Sequence, residues 1–201
     1  LPEGVWSAYD GLQPLQSLVA QTLLDGSARS LRQRRRREGK RILGLNLHQG
    51  AARRIRRQRG AKAQDIGPSR GGQTTKLHAP TDVIGRPFAL RLTPGNVADV
   101  KAAPLFFAAI RGAEFLIADK GYDANSFRRS LREAGARPVI PGRSNRKRPI
   151  DYDKERYRDR HLIENAFCRL KDFRRVATRY DKLSRNFLSA AALATLVASW
   201  L

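Results

Sequence analysis

Four side chains in the C-terminal third of the chain have types and spacing suited to phosphodiester chemistry. Tyr157, Arg160, Glu164 and Lys171 lie at offsets of 0, 3, 7 and 14 residues. At about 100° per residue of α-helix, they fall within about 60° of one another. Leu162, Ile163, Ala166, Phe167 and Leu170 form a neighbouring apolar stripe. Such a helix buries one face and carries, along its edge, a carboxylate ringed by cationic groups. A carboxylate binds a hard cation through oxygen, and guanidinium and ammonium groups bind phosphate. The same spacing also suits an ordinary surface ion pair of Glu164 with Arg160, four residues apart. Spacing alone favours that plainer reading. A second carboxylate shifts the balance. Asp119 ends the apolar run Phe115-Leu116-Ile117-Ala118 and is followed by Lys120-Gly121-Tyr122-Asp123. Its plainer reading is a strand-end turn former.

The surrounding pattern predicts the elements that must position these groups. Gln73 to Ala79 and Pro87 to Leu92 read as strands of an antiparallel hairpin, turning near Gly85. Phe115 to Ala118 reads as a short buried strand with a carboxylate at its tip. Asp123 is placed to cap a helix from Ala124 to about Ala134, stopped by Gly135. Val139-Ile140-Pro141 is a further short strand. A basic loop, Arg143 to Lys147, leads to one long helix from about Tyr152 to Phe173. Val176 to Tyr180 is expected to be extended, and an apolar helix closes the chain. Strands first, then alternating strand and helix, predict an α/β fold: a mixed sheet covered by helices.

Composition limits the partners. The chain has 201 residues, with 40 Lys+Arg against 18 Asp+Glu and a net charge of +22. So lopsided a charge points to a polyanion, nucleic acid first. The apolar fraction of 41% is enough for a packed core. A single Cys excludes an internal disulfide framework and a multi-cysteine zinc site. The longest apolar run, Phe187 to Leu201, is shorter than the roughly 20 residues that span a bilayer. A soluble, cytoplasmic protein without membrane attachment is expected. Between residues 29 and 59 lie 13 Lys+Arg, 12 of them Arg, against one acid, Glu38. The Arg clusters there show no amphipathic period.

Over residues 60 to 201 the sequence resembles bacterial insertion-sequence transposases with an Asp-Asp-Glu triad on a ribonuclease H-like fold. The resemblance is carried by Tyr157-x2-Arg160-x3-Glu164-x6-Lys171 and by Leu116-Ile117-Ala118-Asp119-Lys120-Gly121-Tyr122-Asp123. Further matches are Gly67-x-Ser69-Arg70-Gly71-Gly72-x-Thr74-Thr75-Lys76, Leu92-Thr93-Pro94-Gly95, Val139-Ile140-Pro141 and the run Arg174 to Lys182. The resemblance implies Asp119 and Glu164 as catalytic metal ligands, two Mg²⁺ ions, and Tyr157, Arg160 and Lys171 as groups that position DNA. It implies cleavage at the element's ends and joining to target DNA. It also implies a nucleoid-associated protein, dimeric when active.

The resemblance lacks one part. The family's first Asp precedes the Gly67 loop, in a strand reading roughly D-S-T. This chain offers Leu45-Asn46-Leu47-His48-Gln49, with no acid between Glu38 and Asp65. Back-translated with permitted codons and read one nucleotide later, Leu43 to Gly60 allows L-D-S-T-Y-I-K-A-Q-R-A-A-F-G-A-K-G, which resembles the missing segment. The same shift turns Tyr9 to Gln33 into a stretch resembling the family's upstream helical region. GC-rich Ala and Gly codons read out of phase also yield Arg. Two units are therefore expected. Residues 1–59 are an Arg-rich, out-of-frame segment, poorly ordered, and residues 60–201 are the catalytic portion, with a sheet missing its first strand. The main reading is a transposase inactive as this chain. A catalytically dead, basic DNA-binding module is the alternative. A general RNA-binding protein leaves the Tyr157 to Lys171 pattern without explanation.

Overall fold

The structure is a computed structural model and describes the backbone of residues 42–51 and the whole of residues 64–200. Six strands form one mixed sheet. They are β1 (Ile42–Ala51), β2 (Gly67–Ser69), β3 (Gly72–Thr81), β4 (Arg91–Pro94), β5 (Phe115–Ala118) and β6 (Arg137–Val139). The order across the sheet is β2-β3-β1-β5-β6, with β4 also paired to β3. β1 runs antiparallel to β3 from Gly44 opposite Thr81 to Ala51 opposite Thr74. On its other edge it runs parallel to β5, from Ile42 opposite Phe115 to Leu45 opposite Ala118. β6 continues the parallel set beside β5. The β1–β5 pairing ends at Leu45 and Ala118, and Asp119 follows at the carboxyl end of β5.

The described helices are α1 (Asp99–Ala102), α2 (Asn125–Glu133), α3 (Lys154–Tyr157), α4 (His161–Asp172), α5 (Arg174–Thr178) and α6 (Ser184–Trp200). Strand periodicity sorts the core onto the two faces of the sheet. Leu116 and Ala118 pack with Phe106, Ile110, Phe127 and Leu131 on one face. Leu77 and Ala79 pack with Ile163, Phe167 and Leu170 of α4 and with Phe187 and Ala191 of α6 on the other. Phe115, Ile117 and Val139 meet Tyr152 and Tyr157. Helices thus flank a mixed sheet, as the sequence implies. The outer side of α6 is bare: Leu193 is 62% and Val197 46% exposed, and no charged residue occurs from Asn186 to its end.

Several details differ from expectation. The position expected to lack a first strand is filled by Ile42–Ala51, which pairs with neighbours on both edges. Ladder hydrogen bonds come from backbone groups and do not depend on side-chain identity. Leu43-Gly44-Leu45-Asn46-Leu47-His48 also carries the two-residue alternation of a strand. The expected poor order of residues 1–59 otherwise concerns residues outside the described ones. The single helix from Tyr152 to Phe173 is three pieces: α3, a 3₁₀ turn at Arg158–Arg160, and α4. Val176 to Tyr180 is not extended, because Arg174–Thr178 is helical. The hairpin's second strand begins four residues later than expected, at Arg91, because Asp82 holds the turn open. Its carboxylate accepts from the amides of Ile84 and Arg86 and from the Arg86 guanidinium. Asp123 does not cap α2, whose N-cap is Ala124, without a side-chain cap bond. Gly135 does end that helix, with φ at 82°.

Candidate active site

β5 carries Asp119 at its carboxyl end. Phe115 and Ile117 face Tyr157, and Asp119, with φ −68° and ψ 160°, continues the same extended alternation. Its carboxylate is therefore on the side covered by α3 and α4. There it accepts a hydrogen bond from the Lys120 amide at 2.6 Å and opens a 3₁₀ turn, Lys120–Tyr122.

That turn is held from three directions. Beneath it, the buried Tyr122 hydroxyl lies 2.9 Å from His78 Nδ1, and His78 Nε2 lies 2.8 Å from Thr93 Oγ1. Beside it, Gly121 leaves no room for a side chain, since a Cβ would lie 2.6 Å from Asp99 Oδ2. Asp99 is fixed in turn by Lys76, whose Nζ also donates to the Val97 carbonyl. Above it, the Arg143 guanidinium donates to the carbonyls of Lys120 and Gly121. Asp123 closes the turn. Its side chain is wholly buried and accepts from Arg128 Nε, from both Arg146 Nε and Nη2, and from the Arg143 amide. Two arginines of the basic loop thus serve the fold and are not free for phosphate. Sequence reasoning missed His78, Asp99, Arg143 and Arg146 as supports of this turn. The one local signal was the Lys76-x-His78 pair on β3.

Burial pulls the Asp123 carboxyl up, but its bonds from Arg146, Arg143 and Arg128 overcome this and hold it well below the usual carboxylate range. Burial pushes Tyr122 above the usual phenol range, helped by the charges of Asp99 and Asp119. Burial also lowers His78 to about 4, with Asp99 opposing and Lys76 assisting. His78 is therefore neutral at physiological pH. Its unfolded counterpart protonates near 6.5, so the unfolded state binds the extra proton first. The stability at stake is intact above about pH 6.5 and falls by about 3 kcal/mol as pH drops to about 4. Urea midpoints of His78→Gln should lose this part of the pH dependence relative to the parent. A parallel loss of stability in both proteins between pH 7 and pH 4 would contradict it.

α3 begins where the Asp153 carboxylate accepts from the Arg156 amide. The 3₁₀ turn that follows changes the expected helical phasing. With three residues per turn, Tyr157 and Arg160 come to lie nearly in line. The Arg160 guanidinium is 5.9 Å from the centre of the Tyr157 ring. Arg160 Nη2 also pairs with Glu164 Oε1 at 2.9 Å, so the plain ion pair is present. Tyr157 packs edge-on against Tyr152. Burial raises the Tyr157 hydroxyl, Arg160 opposes, and the Asp119 charge adds to the rise. Arg160 thus joins Tyr157 to Glu164, and the Asp119 charge acts on the Tyr157 hydroxyl. A small pocket lined by Thr81, Asp82, Val83, Ile117, Asp159, Leu162 and Ile163 includes none of these four side chains. The Glu164 side chain is 49% exposed. Lys171 is exposed two turns further on, about 10 Å along the helix axis. It faces the same side and does not touch the group.

Among the described residues no third acid completes a cluster with Asp119 and Glu164. The β1–β5 register places Asn46 one step beyond the Leu45–Ala118 pair, level with Asp119. Among the described residues no cluster of three His, Cys, Asp or Glu side chains is arranged to hold a metal ion. Asp119 and Glu164, the latter already paired with Arg160, are two donors where a pair of hard six-coordinate cations needs more. The residues present do not fit a two-metal centre.

Comparison with known proteins gives a consistent picture. The family profile described as Transposase DDE domain matches residues 24–199. A protein from Brucella ovis named as a transposase for insertion sequence element IS6501 is 36% identical over 125 residues, covering 60% of this chain and 94% of that protein. One from Burkholderia cepacia, named for element IS402, is 34% identical over 119 residues and 54% of each chain. A transposase for element IS1106 from Neisseria meningitidis is 29% identical over 134 residues, 62% of this chain and 46% of that protein. The chain spans nearly all of the first of these relatives and about half of the other two.

Proposed function

The chain belongs to the DDE-domain transposases, and from that membership we infer a protein built for phosphodiester cleavage and strand transfer at insertion-sequence ends but unable to perform it as written. Asp119 and Glu164 are the two remaining catalytic carboxylates. In an intact site they and a third acid would hold Mg²⁺, which activates the attacking oxygen and stabilises the leaving one. In this chain the third position is empty of acid, and the observation that carries the reading is Asn46 level with Asp119 on the neighbouring strand. Tyr157, Arg160 and Lys171 remain able to hold a DNA end. Tyr157 supplies a ring and a hydroxyl on which the Asp119 charge acts. Arg160 orients Glu164, and Lys171 offers an exposed ammonium about 10 Å away, within reach of a neighbouring phosphate.

The segment before Gly60 is an out-of-frame translation. The shifted reading of Leu43 to Gly60, which resembles the family's missing strand, supports it. The family match begins upstream of Gly60, at residue 24, so the nucleotide sequence across codons 1 to 65, read in all frames, is the deciding observation. Among the described residues no helix is long and apolar enough to cross a membrane. The place of action is the nucleoid, and the active form is a homodimer.

What survives the lost acid is DNA binding. With a net charge of +22, affinity for duplex DNA should fall at least about a thousandfold between 50 and 200 mM salt, the behaviour of six or more phosphate contacts. Fluorescence anisotropy with a labelled duplex measures it. Weak affinity that ignores salt would remove the DNA-binding reading in both its enzymatic and its remnant form.

A further inference from the structure

The run Arg174 to Lys182 takes no part in the pairing of Arg160 with Glu164, yet it holds the one exposed aromatic side chain among the described residues. Tyr180 is 57% exposed, whereas Tyr122 is buried and Tyr152 and Tyr157 are half-buried. Tyr180 lies in the irregular segment between α5 and α6. A single exposed ring is ordinary on a protein surface. What is unusual is the corner that presents it.

The residues on both sides of Tyr180 are clamped. Arg179 has a left-handed backbone, with φ at 44°. Its buried guanidinium donates to the Asp181 carbonyl at 3.3 Å and to the Gln64 carbonyl at 2.7 Å, and it lies 5.0 Å from the centre of the Phe187 ring. The Asp181 carboxylate, 7% exposed, accepts from both Nε and Nη2 of Arg175. Asp65, with φ at 52°, offers its carbonyl to Arg179 Nη1 and to Thr75 Oγ1. Asp65 and Arg179 are the only non-glycine residues with positive φ among the described residues, and they meet here. Backbone strain of that kind gathers where a side chain is held for a ligand. With Arg179 turned inward and Asp181 turned to Arg175, Tyr180 stands out on a base tied at both sides.

The charge around the ring selects the ligand. Arg174, Lys182 and Arg185 are exposed and lie within six residues of Tyr180 in the chain. None of the three is in an ion pair among the described residues. Lys171 and Arg174 straddle the α4–α5 junction at Phe173. Cationic side chains thus continue from the helix that carries Glu164 to this corner. Cations interleaved with an aromatic face are the make-up of a surface that holds phosphates by charge and bases by stacking. A paired base hides both faces within the duplex, so a ring on a surface stacks on a base that is unpaired.

We propose that Tyr180 is a stacking platform for an unpaired DNA base, with Arg174, Lys182 and Arg185 holding the phosphates that flank it. The proposal rests on the DNA-binding reading above and adds to it a preference for DNA that is locally open.

The test titrates the full chain by anisotropy, in about 200 mM salt to limit the contribution of charge, with three labelled duplexes. One is fully paired, one carries a single extra unpaired adenine at its centre, and one carries an abasic residue in place of that adenine. The unpaired adenine should tighten binding about tenfold over the other two, the size of one base–ring stack. Tyr180→Ala should lose this gain and Tyr180→Trp should keep it. An abasic duplex bound as tightly as the adenine one would mean that the protein selects a bend, and the proposal fails. An undiminished gain in Tyr180→Ala also overturns it, as does loss of the gain in Tyr180→Trp, which keeps a ring even if the alanine variant unfolds. If Tyr180→Ala instead dissociates a dimer and leaves the gain intact, the ring belongs to an interface between copies. Absence of binding to all three duplexes overturns the underlying DNA-binding reading instead.

Discussion

Restoring the shifted frame upstream of Gly60 should raise metal-dependent cleavage of the element's own ends by at least about a thousandfold over the chain as written. The expectation follows from the donor count. Removing one member of a catalytic set that acts as a unit costs orders of magnitude in rate, because the others cannot do its work. Here Asp119 sits on an extended strand end with its turn held on three sides, and Glu164 is presented on α4 by Arg160. The supporting structure is in place, and one acid on β1 is missing. Three proteins decide the matter: this chain, the frame-restored chain, and the restored chain carrying Glu164→Gln. Cleavage is expected from the second alone. Comparable cleavage by the unrestored chain would mean that another residue completes the donor set. An inert restored chain would mean that the gene is damaged beyond its frame.

The second large effect is on stability. Asp123→Ala should destabilise the domain by about 3–5 kcal/mol, since it strands the buried Arg128 guanidinium without its counter-charge. Domains of this size are stable by about 5–15 kcal/mol, so the variant should be partly unfolded at 37 °C. The pH dependence has a definite sign. The Asp123 carboxyl is depressed in the folded state by its arginine partners. Its contribution is present above the unfolded value near 3.9 and is lost as pH falls below it towards the folded value. Urea denaturation at pH 7 and pH 3 checks both parts. The gap between parent and variant should be wide at pH 7 and narrower at pH 3. A constant gap would mean that packing, and not charge, accounts for the loss.

The placement of Asp119 at a strand end and of Glu164 on a helix was legible in the sequence because each carboxylate sits in an apolar pattern that fixes its element. The group Tyr157-Arg160-Glu164 was legible for the same reason, although a 3₁₀ turn, and not one continuous helix, brings Tyr157 and Arg160 together. The supporting residues were not. His78, Asp99, Arg143 and Arg146 act across sequence separations of 15 to 44 residues or about 20. Their types alone read as a core histidine, a loop acid and a solvated basic loop. β1 was misjudged for a different reason. Its missing acid bears on chemistry alone, whereas the alternation of Leu43, Leu45 and Leu47 is what a pairing strand requires.

The bare side of α6 has a consequence for the molecule in bulk solution. The charge of +22 is distributed over a body whose C-terminal helix presents Leu193 and Val197 to water with no charge from Asn186 onward. As a colloid the particle is two-faced, with a strongly repelling surface and one wettable only with difficulty. In dilute buffer the long-range repulsion keeps such particles apart whichever way they face. At 1 M salt the repulsion reaches only about 3 Å, and orientation begins to matter. Particles can then meet through their uncharged sides, so the salt that detaches the protein from a polyanion also removes its protection against clustering.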